Sequence, residues 1–459
     1  MKKCVLGIDL GTSSVKILSK YRDGTVKKLK NTYEKPLPSG WWKAVEDLLK
    51  QISWNEVEAI GLTSQVGTYL VNDQHVIDWN SSVGKEELVW WKNNYDQEKF
   101  IEEISMPHPE VISYPLPRLK YMKEHFDHVY KICQPKEYIL NQLTGEWCTD
   151  EYSWRGLCNL HTKQYSTYFI QELEMTKDIL PPVKEYRKVA GYTKEIDWIS
   201  QKLPEGIPVY VGLNDYYAGL LGMGIGEPGQ MFDVTGTSEH IGVLLEEMVK
   251  DTSLVSGPYL KHMVHYGVTA SSGASVRYGL KLGNKDSYNM ENIIKEKPPV
   301  FLPYLKGERA PIWNPYARGV FFGIEENCNA DMMSYAIMEG VVFSLYHIFE
   351  NMGKPPIHKI TVSGGAANIE VLSQLKADIF GCSIEVVKEK DVSALGACIV
   401  AAVGEGWYDN IWEAAEAWVE ISHEYTAQNQ YSQWFNNRFE IYKELYRSVI
   451  PLYEMWKKL

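Results

Sequence analysis

The chain has 459 residues, 45% of them hydrophobic and 23% charged, with a formal net charge of −12. That length predicts two or three domains with proper cores, and the acidic balance argues against a nucleic-acid partner, which favours basic patches. Seven cysteines, none in a CxxC, argue against a disulfide framework or a zinc site and fit a reduced, cytoplasmic setting; the longest smooth apolar run, Ala394 to Val403, is too short for a bilayer, which needs about 20 residues.

The first element is a predicted β-hairpin: Cys4-Val5-Leu6, the turn Gly7-Ile8-Asp9-Leu10-Gly11-Thr12-Ser13-Ser14, then Val15-Lys16-Ile17-Leu18. An Asp at a strand end can hold a hydrated Mg²⁺, and a Gly-Thr/Ser tip can turn N–H groups and hydroxyls toward phosphate oxygens. Val57 to Gln65 reads as a buried strand with a polar end. Tyr69-Leu70-Val71 and His75-Val76-Ile77 flank Asn72-Asp73-Gln74 as a second hairpin. Residues 85–180 carry helical patterns, expected to break at Pro107, Pro109, Pro115 and Pro117. Pro208 to Leu213 predicts a central strand, and Asp215 to Leu221 a helix starting at its end. Asp215 is placed to cap that helix. A carboxylate there also points into the region where α/β proteins bind ligands, and it could take the proton from a hydroxyl during phosphoryl transfer.

A run of turn residues, Gly226-Glu227-Pro228-Gly229, predicts a domain boundary. The stretch Gly224–Gly229 matches GxGxxG in letters only. It follows a helix and precedes a strand, the reverse of a dinucleotide-binding context, and reads as a loop; no GxxxxGK[ST] exists. Next comes a second acidic turn, Asp233-Val234-Thr235-Gly236-Thr237-Ser238, between Gln230-Met231-Phe232 and His240 to Leu245. Either turn alone reads equally well as an ordinary hairpin. Two in matched settings point to a duplicated architecture gripping a nucleoside triphosphate from both sides. An α/β alternation follows: helix 331–350, strand Lys359–Val362, helix Glu370–Phe380, strand Ile384–Val387, helix Ser393–Val403. Ser363-Gly364-Gly365-Ala366-Ala367-Asn368 joins a strand to a helix, with glycines that allow a flat ligand close to the backbone. The tail from Tyr425 carries aromatics at helical spacing, expected to pack as surface helices.

The ordered set resembles the FGGY carbohydrate kinases of the sugar kinase and actin-like ATPase superfamily. It runs from Gly7–Ser13 through Gly61-Leu62-Thr63-Ser64-Gln65, Leu143-Thr144-Gly145, Gly212-Leu213-Asn214-Asp215 and Asp233–Ser238. It continues through Leu302-Pro303-Tyr304-Leu305-Lys306-Gly307-Glu308-Arg309-Ala310-Pro311, Ala317-Arg318-Gly319, Met338-Glu339-Gly340-Val341, Ser363–Asn368 and Ser393-Ala394-Leu395-Gly396-Ala397. The resemblance implies an α/β fold of two actin-like, ribonuclease H-like domains, residues 1–226 and 227–459, with a cleft between them. It implies ATP and Mg²⁺ as cofactors and a small sugar or polyol as acceptor, with no nucleic acid, no membrane and a homodimer as the assembly. It assigns Asp215 as general base, Asp9 and Asp233 to the metal, Thr12, Ser13 and Ser14 to the first phosphate loop, and Gly236 and Thr237 to the second. Gly365, Ala366 and Asn368 fall at the adenine end, and Gly273 and Arg277 on the nucleotide site by a looser alignment.

The sequence departs from the resemblance at the sugar site. Gln65-Val66-Gly67-Thr68 stands where xylulose kinases carry Gln-Met-His-Gly, and Trp79 is followed by Asn80-Ser81-Ser82-Val83-Gly84-Lys85 in place of Trp-x-Asp-x-Arg. Gln65, Trp79, Ser81 and Asn214, with Ser82 and Lys85, are the candidate acceptor contacts. A ketopentose such as xylulose or ribulose is the first expectation. A degenerate kinase acting as a sugar-binding regulator is the alternative, against which the three carboxylates Asp9, Asp215 and Asp233 count; a filament-forming or chaperone ATPase is disfavoured by Leu302–Pro311.

Overall fold

The N-terminal hairpin forms as expected, β1 (Cys4–Leu10) pairing antiparallel with β2 (Ser14–Tyr21) so that Asp9 stands opposite Lys16. The computed structural model describes residues 2–458 except 35–36, 109–110, 237, 251–252 and 284–286. In it the hairpin joins β3 (Val26–Thr32), β4 (Val57–Ser64), β5 (Val189–Tyr192) and β6 (Pro208–Tyr210) in one sheet, ordered β5-β6-β4-β1-β2-β3. β4 runs parallel to both β1 and β6 and the other pairs are antiparallel. β1 and β4 are covered on both faces, which is why they read as continuous apolar runs rather than alternations.

The expected strand at Pro208 stops early, at Tyr210. Gly212 has φ 72°, and a Cβ there would lie 1.8 Å from the Leu62 carbonyl oxygen, so only glycine lets the chain turn off the sheet so tightly into α1 (Asp215–Gly222). The short hairpin Tyr69–Val71/His75–Ile77 is present, with φ 53° and 58° at Asn72 and Asp73, as a primed turn demands. Pro115 and Pro117 do not break a helix. They stand in the first turn of Pro115–His125, where the missing N–H has no intrahelical partner to lose. Pro109 lies outside the described residues.

The second acidic turn joins β7 (Met231–Thr235) to β8 (Glu239–Leu245). With β9 (His262–Thr269), β10 (Lys359–Gly364), β11 (Ser383–Val387) and β12 (Ile421–Tyr425) these make six of the seven strands of a sheet, in the order β9-β8-β7-β10-β11-β12. β10 is parallel to both β7 and β11, and the remaining pairs are antiparallel. This repeats the pairing sequence β3-β2-β1-β4-β6-β5, so the duplication suggested by the turns extends to the sheets. Helices α2 (Gly273–Leu282), α3 (Ala330–Asn351) and α4 (Glu370–Phe380) accompany the second sheet. Among the described residues α3 alone has the length and apolarity of a membrane span, and it is a core helix, with Met338, Val341, Val342 and Leu345 buried.

The chain passes from one packing unit to the other after Gly224, near the expected 226/227 division, but the units are not continuous in sequence. Residues Gly257–Tyr259 and Asp391–Val419 pack with the first unit. α5 (Val392–Gly404) lies so close to β4 that a Cβ on Gly61 would be 2.0 Å from the Ala397 carbonyl oxygen. The tail is one helix, α6 (Ser432–Trp456), and it is more than a surface cover: Phe435, Phe439 and Tyr442 are part of the second unit's core.

Candidate active site

In the first unit, chemistry converges where β1, β4 and β6 end and α1 begins. The cap of α1 is Asn214, not Asp215: its Oδ1 accepts from the Tyr217 N–H at 2.9 Å while its Nδ2 donates to the Tyr152 carbonyl at 3.1 Å. Each end of that amide makes one bond within the protein, so Asn214 braces the start of α1. Asp215, the first helical residue, is thereby free for other work. Its Oδ1 accepts from the Tyr216 N–H at 2.9 Å, and the Val66 N–H also bonds its carboxylate. Burial, then the charge of Asp9, pushes its pKa up to about 7; the two N–H groups and Arg155 act the other way. The bend behind Asp215 is pinned by buried Lys136, which pairs with Asp150 and donates to the Gly212 carbonyl at 3.1 Å. Ser393 on α5 donates to the Asp215 carbonyl at 3.0 Å.

Asp9 is buried at the end of β1, and its Oδ1 has no hydrogen-bond partner. Burial raises its pKa to about 6, with Lys16 lowering it and Asp391 raising it. Its neighbour across the parallel pair with β4, Thr63, has an unpartnered Oγ1. Beyond Asp9 the turn closes through Gly11 N–H to Ser14 O at 3.0 Å, leaving Thr12 and Ser13 exposed and Ser14 half-buried. An unpaired buried carboxylate beside exposed hydroxyls and turn amides fits a divalent cation with phosphate oxygens.

Gln65 carries the clearest acceptor signal. It is 3% exposed, yet neither amide atom has a partner, and the next residue, Val66, bonds Asp215. Trp79 is placed differently from expectation, since its indole N–H donates to Thr12 Oγ1 at 3.1 Å and so ties the presumed sugar segment to the phosphate turn. Ser81 is a loop strut: its Oγ accepts from the Val83 N–H, and buried Arg118 donates to the carbonyls of Asp78, Trp79 and Ser81. Ser82 and Lys85 are exposed. Sequence reasoning missed Arg155. It is 7% exposed, with its guanidinium 4.7 Å from the Tyr217 ring and 5.6 Å from that of Tyr216. The one available signal was an arginine set in the aromatic run Tyr152-Ser153-Trp154.

In the second unit, Gly236 is exposed at the β7–β8 turn; Thr237 lies outside the described residues. α2 starts against this turn. A Cβ on Gly273 would be 2.6 Å from the Gly236 oxygen and 3.2 Å from a guanidinium nitrogen of Arg277, so the loosely aligned pair does gather at the turn. The Ala366 N–H donates to Thr235 Oγ1 at 3.0 Å, tying the segment after β10 to the same strand end. A Cβ on Gly365 would meet nothing within 4 Å, leaving room for a flat group, and Asn368 is exposed nearby. Asp233 departs from expectation. Its carboxylate is ion-paired with buried Lys376, which a metal would have to displace.

Two family models match the chain: the N-terminal domain of the FGGY family of carbohydrate kinases over residues 4–222 and its C-terminal domain over residues 232–405. The chain is 27% identical to a xylulose kinase of Staphylococcus xylosus over 484 aligned positions, covering 96% of this chain and 99% of that protein. It is 26% identical to a glycerol kinase of Thermococcus kodakarensis, with 91% and 92% covered. In fold it matches the crystal structure of gluconate kinase from Lactobacillus acidophilus with a TM-score of 0.84 at 23% identity, over 99% of this chain and 100% of that one.

Proposed function

The chain belongs to the FGGY family of carbohydrate kinases, and from that membership we propose that it moves the γ-phosphoryl group of ATP to one hydroxyl of a small sugar or polyol, with Asp215 as general base. The observation that carries the reading is Asp215 itself. It is a buried carboxylate at a helix start, braced by Asn214, Lys136 and Ser393 and bonded by the N–H of Val66, the residue after Gln65, whose buried amide is unpaired. The acceptor oxygen attacks the γ-phosphorus, its bond to the oxygen bridging the β- and γ-phosphates breaks, and the hydroxyl proton passes to Asp215 as ADP leaves. Phosphoryl transfer asks chiefly for positioning and charge neutralisation. Gln65 supplies a donor and an acceptor for sugar hydroxyls. By family membership, Thr12, Ser13 and Ser14, and likewise Gly236, Gly273 and Arg277, are assigned to phosphate oxygens, and Gly365, Ala366 and Asn368 to the adenine. Asp9 would hold Mg²⁺, which when bound neutralises phosphate charge.

A ketopentose is the first acceptor to try. Arg155 favours a second class, since a buried guanidinium beside the base suits an acceptor bearing a carboxylate, such as an aldonate. A panel of ketopentoses, hexoses, polyols and aldonates with ATP separates the two. Phosphorylation of a neutral ketose that is insensitive to R155Q removes the aldonate reading. Tight binding of a sugar with no transfer to any acceptor would instead indicate a sugar-binding regulator.

A further inference from the structure

The two acidic turns occupy equivalent places in equivalent sheets, yet their carboxylates meet different surroundings. Asp9 Oδ1 and Asp233 Oδ1 are both buried without a partner, and the difference lies in the cation beside them. Asp233 is held by Lys376, which rises from the middle of α4 and also contacts Glu239 at 2.5 Å. The side chains of Asp233, Glu239 and Lys376 are 1%, 0% and 2% exposed. Thr235 pairs with Glu239 and Asp233 with Ile241, so Asp233 and Glu239 share one face of the hairpin, on the strands entering and leaving the turn.

A divalent cation bound to Asp233 would stand next to an ammonium in a buried site, where solvent screens little of the repulsion. Asp233 keeps one unpartnered oxygen, but the buried ammonium on its other oxygen makes the site a poorer fit for Mg²⁺ than Asp9. We propose that Lys376 is the resident cation of the second turn. Its ammonium occupies the position beside Asp233 that a metal would need, Asp233 and Glu239 serve as struts, and the metal's protein carboxylate is Asp9. Lys376 is thus a positioning residue. It is carried on the helix that follows Ser363–Asn368, so one side chain locks the phosphate turn to the segment assigned to the adenine. It also offsets the carboxylate charge that would otherwise stand behind the bound phosphates. The proposal rests on the nucleotide-binding reading given above.

The test is ADP affinity of the full-length protein, measured by calorimetry in chelator and in excess Mg²⁺. In the wild type Mg²⁺ tightens binding. D9N should lose most of that tightening, about tenfold, while D233N, which leaves Lys376 paired with Glu239, should keep it. K376M leaves two carboxylates facing each other and should weaken ADP about tenfold in both conditions; K376M/E239Q removes one charge of each sign and should recover. Loss of the Mg²⁺ effect in D233N, or unchanged ADP affinity in folded K376M, overturns the proposal. If K376M does not fold, D233N decides alone. If the wild type binds no ADP at all, the nucleotide reading itself falls.

Discussion

Burial and Asp9 favour the protonated form of Asp215, and that effect is measurable. With a pKa raised to about 7 by burial and by Asp9, its activity as a base should be lost as pH falls below about 7, giving a log kcat/KM for the acceptor with unit slope on the acid side and a plateau above. Because Arg155 pulls that pKa down, R155Q should move the acid limb to higher pH; an unmoved limb would separate Arg155 from the base. The same raised pKa values at Asp215 and Asp9 mean that the folded state holds protons the unfolded chain has released between about pH 4 and 7. Their contribution to stability is therefore fullest below about pH 4 and is lost as pH rises through about 6 and 7. D215N should raise stability above pH 7 by up to a few kcal/mol, at about 1.4 kcal/mol per pKa unit, while removing activity; chemical denaturation of both forms checks it. Gln65→Leu exchanges an unsatisfied buried amide for an apolar group. It should leave the melting temperature unchanged or higher and weaken the acceptor by about 1–3 kcal/mol in KM; a large fall in stability would mean that the amide serves the fold.

At the scale of elements, the ordered motifs gave the right kinds of segment, and the errors have local causes. Pro115 and Pro117 were legible as breakers only because their place in a first turn depends on where the helix begins. Asp215 and Asn214, one residue apart, are equally good caps by residue type, and only the Tyr217 N–H, which donates to Asn214 Oδ1, decides between them. The apolar face of α6 was visible as helical spacing, but its partner was not. Arg438 on α6 donates to both oxygens of Glu339, at 2.8 and 2.6 Å, and Glu339 lies wholly buried on α3, far away in sequence. Arg438→Ala strands that carboxylate and should destabilise the protein by about 3–5 kcal/mol, read as a shift in denaturant midpoint. A Glu339→Gln/Arg438→Met double variant should recover much of the loss.

At the scale of the molecule, duplication is what the sequence announced most clearly, and the second sheet repeats it over six of its seven strands. The turns were legible because turns are local: Gly11–Ser14, Asp233–Gly236 and Ser363–Asn368 each carry their geometry in a few adjacent residues. Of the groups proposed for the acceptor, Gln65 and Asp215 were legible in motifs, whereas Arg155 was not, because its place beside Tyr217 depends on packing that no spacing reveals. Charge balance was hidden for the same reason, since Lys376 is 143 residues from Asp233. The most direct test of the whole account is transfer of labelled γ-phosphate from ATP across the acceptor panel by the wild type and by D215N. The wild type should label a sugar, polyol or aldonate, and D215N should lose about 10²–10⁴-fold of that rate while still binding ADP. Undiminished transfer by D215N would contradict it.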